Sequence, residues 1–337
     1  MAGERDLFDI VVVGAGPVGL FGVFYAGMRG MRTKVIEALP EVGGQLTALY
    51  PEKDIFDVAG FPRVGAKQLV EACREQAEHA NPSATYVLGQ RVDTLRQEAD
   101  GTFVLETSTG DKHYGRAVVI TAGIGAFEPN RIPNETARMY EGKGVFYSVV
   151  NRPQYAGKNV LVVGGGDSAV DYALMLEPVA KSVTLIHRRD GFRAHEESLK
   201  KLAASDVHVK LFFELGHVAG NGDWVTEADI SDNRSGEKIT LPVDFIVLGT
   251  GFKASLGKML EWGLTFENKK QIVTNSKGET SIPGIYAAGD VSWYPGKIRL
   301  IATGFGEVAT AVNNAKAFID PGSAAFPGHS SEQSHKK

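Results

Sequence analysis

The sequence Asp9-Ile10-Val11-Val12-Val13-Gly14-Ala15-Gly16-Pro17-Val18-Gly19, continued by Thr33-Lys34-Val35-Ile36-Glu37, reads as strand, glycine turn, helix, strand and acid. Ile10 to Val13 is a short β-branched run of the kind buried in a parallel sheet. Leu20 to Arg29 carries the intervening helix, with Gly30 placed as its C-terminal stop. Each glycine of the G-x-G-x-x-G has its own reason. Gly14 permits the tight turn, Gly16 lets the backbone approach a pyrophosphate, and Gly19 lets the helix lie against the strand. The free N–H groups of the helix start then face the phosphates. Glu37 stands where a carboxylate accepts hydrogen bonds from ribose hydroxyls. A glycine turn alone is common, but here all five parts fall in order, which marks a dinucleotide-binding βαβ unit.

The pattern returns further along the chain. Lys158-Asn159-Val160-Leu161-Val162-Val163 is followed by Gly164-Gly165-Gly166-Asp167-Ser168-Ala169, a helix through Leu176, and the strand Val183-Thr184-Leu185-Ile186. Gly14 to Glu37 and Gly164 to His187 both span 23 positions, so His187 falls where the first unit has its acid. Arg188 and Arg189 follow at once, and Arg193 adds another positive charge. A carboxylate at this place repels a 2′-phosphate, whereas a guanidinium binds one bidentately. The first site therefore suits an unphosphorylated adenosine ribose, and the second, built on Gly164, Gly166, Ser168, His187, Arg188, Arg189 and Arg193, suits NADP(H).

Between and beyond these turns the chain is globular. Its 337 residues predict two or three domains, and 43% apolar with 23% charged residues is enough to bury sizeable cores. A net charge of −4 argues against non-specific binding to nucleic acid or acidic lipid. One cysteine, Cys73, excludes an intrachain disulfide and fits a reducing, cytoplasmic setting. The charged opening residues lead straight into the first strand, with no signal-peptide core and no run long enough to span a membrane. Ala66 to His79 is an amphipathic helix that places Cys73 on its packed face with Leu69, Val70 and Ala77. Tyr86 to Thr109 alternates and reads as antiparallel strands. Ala117 to Gly123 and Val243 to Gly251 are apolar strands running into small residues, one closing each unit. Ile285 to Asp290 is a further strand ending in Gly-Asp, with Asp290 placed for a ribityl hydroxyl or a pyrophosphate. A helix over Gly304 to Phe318 follows, glycine-rich at its positive end. No metal-ligand set is expected.

Taken together, the two glycine turns, Glu37, Gly43-Gly44-Gln45, His187-Arg188-Arg189-Asp190-Gly191-Phe192-Arg193-Ala194 and Ala288-Gly289-Asp290 make the chain resemble the two-dinucleotide flavoproteins of the thioredoxin reductase type over nearly its whole length. Thioredoxin reductases carry a Cys-x-x-Cys before the second glycine turn. This chain has Tyr147-Ser148-Val149-Val150 there, so no dithiol carries electrons away. What remains is a resemblance to ferredoxin–NADP⁺ reductases of the thioredoxin reductase-like type, to which Tyr50 and the C-terminal His329-Ser330-Ser331 are also similar.

The resemblance implies an α/β fold of two Rossmann-like, three-layer dinucleotide-binding domains, with the NADPH domain inserted into a split FAD domain. The expected boundaries are 1–123 and 252–320 for FAD, 124–251 for NADPH, and a tail at 321–337 that covers the flavin or is disordered. It implies FAD held by Gly14, Gly16, Gly19, Glu37, Gln45, Tyr50, Val92, Phe127 and Asp290. Tyr50 would stack on one face of the isoalloxazine, and His329, near Ser331, would cover the other. It implies a homodimer, and hydride transfer between NADPH and FAD followed by one-electron steps to ferredoxin or flavodoxin. No catalytic acid or base is expected, because the cofactor carries the chemistry and the protein supplies placement. Ferredoxins and flavodoxins are acidic, so a net-negative enzyme needs a local basic face to receive one. Two other readings share these motifs. One is an NADPH-dependent reductase of free flavins, quinones or similar acceptors. The other is a non-catalytic redox sensor gated by NADP(H).

Overall fold

A computed structural model describes residues 5–324, with all their side chains except those of 126–128. The chain forms two units. One contains the chain up to Ala126 and again from Ala254, and the other is Phe127–Lys253. The crossings thus lie a few residues beyond the 123/124 and 251/252 boundaries expected from sequence.

In the first unit, β1 (Leu7–Val13) runs through the glycine turn into α1 (Pro17–Met28) and returns as β2 (Thr33–Ile36). Pro17 sits in the first turn of α1, where its missing N–H costs nothing. A one-turn helix α2 (Gln45–Ala48) and the long α3 (Ala66–Ala80) follow, then β3 (Thr85–Val87), β4 (Val92–Gln97), β5 (Phe103–Thr107) and β6 (Lys112–Ile120). The sheet order is β3-β2-β1-β6-β5-β4. β1 pairs in parallel with β2 on one side and β6 on the other, Val13 lying between Ile36 and Ile120. Ile10, Val11 and Val12 are completely buried, each worth roughly 1.5–3 kcal/mol of apolar burial.

One expectation is corrected here. Val87 belongs to a parallel strand, because β3 follows the α3 crossover and pairs with β2 in the same direction. Only β4, β5 and β6 form the antiparallel meander. α3 buries Leu69, Val70, Cys73 and Ala77 as its periodicity requires.

A strand β7 (Ala126–Pro129) leads into the second unit. There β8 (Val145–Phe146), β9 (Asn159–Val163), α4 (Asp167–Leu176), β10 (Ser182–His187), α5 (Glu196–Ala203) and β11 (His208–Leu211) come in order. An antiparallel ribbon of β12 (Phe213–Gly220), β13 (Val225–Asp232) and β14 (Lys238–Pro242) precedes β15 (Phe245–Leu248). The five-stranded sheet β8-β15-β9-β10-β11 is parallel throughout. The β-prone run His208 to Phe213 is broken at Phe212, whose φ of 66° lies in the left-handed region.

The chain returns to the first unit through β16 (Phe252–Ser255), and β17 (Ile285–Ala287) adds to the far half of β6. β6 is nine residues long, so its start pairs with β5 and its end with β17. The last helix, α6, spans Ile301–Ile319. It begins one turn earlier than expected, so Gly304 and Gly306 lie inside it. Gly304 serves close packing: a Cβ there would come within 2.5 Å of Val18 Cγ2 on α1.

Candidate functional site

The turn between β1 and α1 is built on contacts that no side chain could share. A Cβ on Gly14 would lie 2.6 Å from the Thr121 carbonyl, and one on Gly19 would lie 2.0 Å from the Gly14 carbonyl. Thr121 Oγ1 donates to that same Gly14 carbonyl at 2.8 Å. Gly16 differs: a Cβ there would meet nothing within 4 Å, so this backbone faces open space. α1 has no side-chain cap and no acid in its first turn, which leaves its N–H groups and positive end for an anion. Gly43 N–H donates to Ala15 O at 2.8 Å, and a Cβ on Gly44 would lie 3.3 Å from Gly16 Cα. The loop 43–44 therefore closes one side of the turn, and α2 starts from it with Gln45. The Gln45 amide approaches the backbone at Gly123.

Glu37 is buried, 7% exposed, at the end of β2. Oε2 accepts from Ala15 N–H at 2.6 Å and Oε1 from Leu39 N–H at 2.9 Å. Burial pushes its carboxyl above the usual range, against those backbone N–H groups, which pull it down. Each oxygen still has a lone pair for a ribose hydroxyl. Tyr50 is half-buried, its hydroxyl raised by burial first and then by the charges of Asp290 and Asp57. That effect places Tyr50 and Asp290 in one neighbourhood. Asp290 follows β17 half-buried, and its carboxylate accepts no hydrogen bond from the described residues. Val92 is packed in the core of this unit, 7% exposed. Phe127 lies in β7, its side chain outside the described set, and His329 and Ser331 lie outside the described residues.

Beneath Asp290 sits a cluster that motif reading did not anticipate. Lys297 Nζ, 4% exposed, donates to Gly289 O at 2.8 Å, Ser292 Oγ at 2.9 Å and Glu307 Oε1 at 2.6 Å. Glu307 Oε2 accepts from Gly289 N–H at 2.8 Å, and Oε1 from the Tyr294 hydroxyl at 2.8 Å. Gly289 is thus held by its N–H and its carbonyl, through one buried ion pair. The only sequence signal was an acid on the packed stripe of α6, next to Gly304, Val308 and Ala311.

The second unit repeats the first turn with altered chemistry. Cβ atoms on Gly164 and Gly249 would lie 2.3 Å from Gly249 O and 2.7 Å from Ala169 Cα. The loop after β10 is laced to this turn: Arg193 N–H donates to Gly165 O at 2.7 Å, and His195 N–H to Asp167 Oδ1 at 2.9 Å. His187 lies over Gly165 and stacks on Phe192 at 5.4 Å between ring centroids. Burial lowers its imidazole, and the neighbouring arginines lower it further. Arg188, Arg189 and Arg193 are exposed and form no ion pair with any described residue. Ser168 is half-buried in the first turn of α4. Among the described residues no cluster of three or more His, Cys, Asp or Glu could hold a metal ion, and no helix is long and apolar enough to cross a membrane.

These features define an oxidoreductase scaffold with one dinucleotide-type turn in each α/β unit. The profile of the pyridine nucleotide-disulphide oxidoreductase family matches residues 8–315. A ferredoxin–NADP reductase from Symbiobacterium thermophilum is 76% identical over all of both chains. One from Geobacillus kaustophilus is 49% identical over 97% of each. A thioredoxin reductase from T. acidophilum superposes with a TM-score of 0.72 at 26% identity, covering 93% of this chain and 99% of its own. The chain belongs to the pyridine nucleotide-disulphide oxidoreductase family, within its group of ferredoxin–NADP reductases of thioredoxin reductase-like fold.

Proposed function

We propose that the protein transfers electrons between NADPH and ferredoxin or flavodoxin, using FAD in the first unit and binding NADP(H) in the second. The observation that carries this reading is the contrast between the two turns. One ends in a buried carboxylate suited to ribose, and the other in three unpaired arginines suited to a 2′-phosphate. The absence of a second cysteine from the sequence separates this route from one through a protein dithiol.

The residues fit these groups. Gly16 offers a backbone that can be approached closely, Glu37 accepts from ribose, Gln45 and Asp290 line the same end of the sheet, and Tyr50 supplies a half-buried ring in the same unit. Val92, Phe127, His329 and Ser331 complete the expected FAD set. FAD supplies the chemistry when bound: it takes a hydride as a pair of electrons and releases them singly. The chain's own work is positioning. Glu37 keeps its carboxylate in place through two backbone N–H groups, and Lys297 with Glu307 fixes the turn that carries Asp290. Arg188, Arg189 and Arg193 select the phosphorylated coenzyme, and His187 covers the second glycine turn. A cytoplasmic homodimer is part of the same reading.

The test is NADPH-driven cytochrome c reduction by purified, yellow protein, with and without ferredoxin. Strong stimulation by ferredoxin is expected. Equal rates with and without it, alongside rapid reduction of free flavin or quinone, would instead assign a reductase of diffusible acceptors.

A further inference from the structure

We propose that Arg234, carried on the ring of Phe212, is a further guanidinium of the nucleotide site and contacts the 2′-phosphate of a bound 2′-phosphorylated adenosine. The inference rests on the NADP(H) reading of the second unit. β10 and β11 are parallel neighbours with His187 opposite Leu211, so Arg188 and Phe212 leave the same sheet edge side by side. Phe212 then turns into the left-handed region, which a bulky residue rarely occupies. The turn after β13 reaches across to both. Asn233 N–H donates to Phe212 O at 2.8 Å, and Asn233 Nδ2 donates to Arg188 O at 2.9 Å. Arg234 Cζ lies 3.4 Å from the Phe212 ring centroid, so the guanidinium is laid flat on the ring.

Among the described residues one carboxylate pairs with this cation, Asp232, at the outer limit of a hydrogen bond. Asp232 accepts from the backbone N–H groups of Arg234 at 2.7 Å and Ser235 at 3.0 Å. Its reach to the Arg234 side chain is 3.5 Å, with that side chain 61% exposed. Glu214 is 3.5 Å from Asn233 Nδ2. With Nη2 turned to Asp232, the stacked guanidinium keeps its other N–H groups for a ligand, and its orientation is set before one arrives, so less freedom is lost on binding. Arg188, Arg189 and Arg193 stand on the loop after β10, and Arg234 faces the same edge from the ribbon.

The experiment is calorimetric titration of the full-length, FAD-loaded protein with adenosine 2′,5′-bisphosphate and with adenosine 5′-monophosphate. Arg234→Gln should weaken the bisphosphate about three- to tenfold and leave the monophosphate unchanged, as loss of one exposed phosphate contact would. Arg234→Lys should recover part of the loss, and Phe212→Leu should weaken the bisphosphate by removing the support. Arg234→Gln is a surface change, so it carries the test even if Phe212→Leu folds poorly. Parent-like bisphosphate affinity in Arg234→Gln, with Arg188→Ala weakened, would overturn the proposal. A parent protein that does not prefer the bisphosphate would overturn the NADP(H) reading instead.

Discussion

His187 occupies the space that a side chain at position 165 would need: a Cβ on Gly165 would lie 2.1 Å from His187 Cε1. The matching pair in the first unit is Ala15 with Glu37, where the strand-end side chain meets the turn through the Ala15 N–H and leaves room for a methyl group. The middle residue of each glycine turn thus answers to the residue that closes the next strand. Gly165→Ala should displace the imidazole and raise KM for NADPH about tenfold. His187→Ala should relieve the clash, giving a coupling of about 0.5–3 kcal/mol between the two sites. Additive losses in the double variant would sever the link.

Coenzyme choice should lie with the unpaired arginines. A hydrogen bond to a charged group contributes about 1.5–3 kcal/mol. Arg188→Ala with Arg189→Ala should raise KM for NADPH at least about tenfold and leave NADH little changed. Comparable losses with both coenzymes would make the pair structural.

The Lys297–Glu307 pair should behave as buried charges do. Lys297→Met leaves the Glu307 carboxylate without its cation and should destabilise the first unit by roughly 3–5 kcal/mol. It should also speed FAD loss, because Gly289 loses the donor to its carbonyl. Lys297→Met with Glu307→Gln should be milder than Lys297→Met alone. Thermal unfolding and flavin release measure both effects. A double variant worse than either single one would mean that the charges themselves stabilise the turn.

Cys73 should be dispensable. Its thiol is buried, 6% exposed on the packed face of α3, and burial pushes its pKa up to about 11. Cys73→Ser should keep NADPH turnover with ferredoxin, and neither form should reduce thioredoxin or a small disulfide. Loss of turnover with FAD still bound would give the thiol a function.

Local geometry explains what could be read in advance. The turns at 14–19 and 164–169 and the acid at 37 are fixed within one βαβ unit, where spacing alone determines contact. The fold class followed from finding that unit twice. The direction of 85–87 was not legible, because three residues of β-prone sequence carry no record of the crossover that delivers them. Lys297 was missed for a different reason. It lies in a Pro-Gly-Lys turn that reads as solvent-facing, and only the distant α6 supplies the acid that buries it. Phe212 and Arg234 are 22 positions apart and meet through a hairpin whose register no local motif announces.

The buried thiol also makes this chain a convenient background for spectroscopic labels. A thiol with a pKa near 11 is roughly one part in a thousand thiolate at pH 8, against about a quarter for an ordinary cysteine. Maleimide or nitroxide reagents should therefore leave the folded parent almost unmarked. A cysteine placed at an exposed position, such as Glu75 in the first unit or Lys200 in the second, would then be a reactive handle without a native competitor. One probe in each unit would report the distance between them as coenzyme is added, without first deleting a native residue.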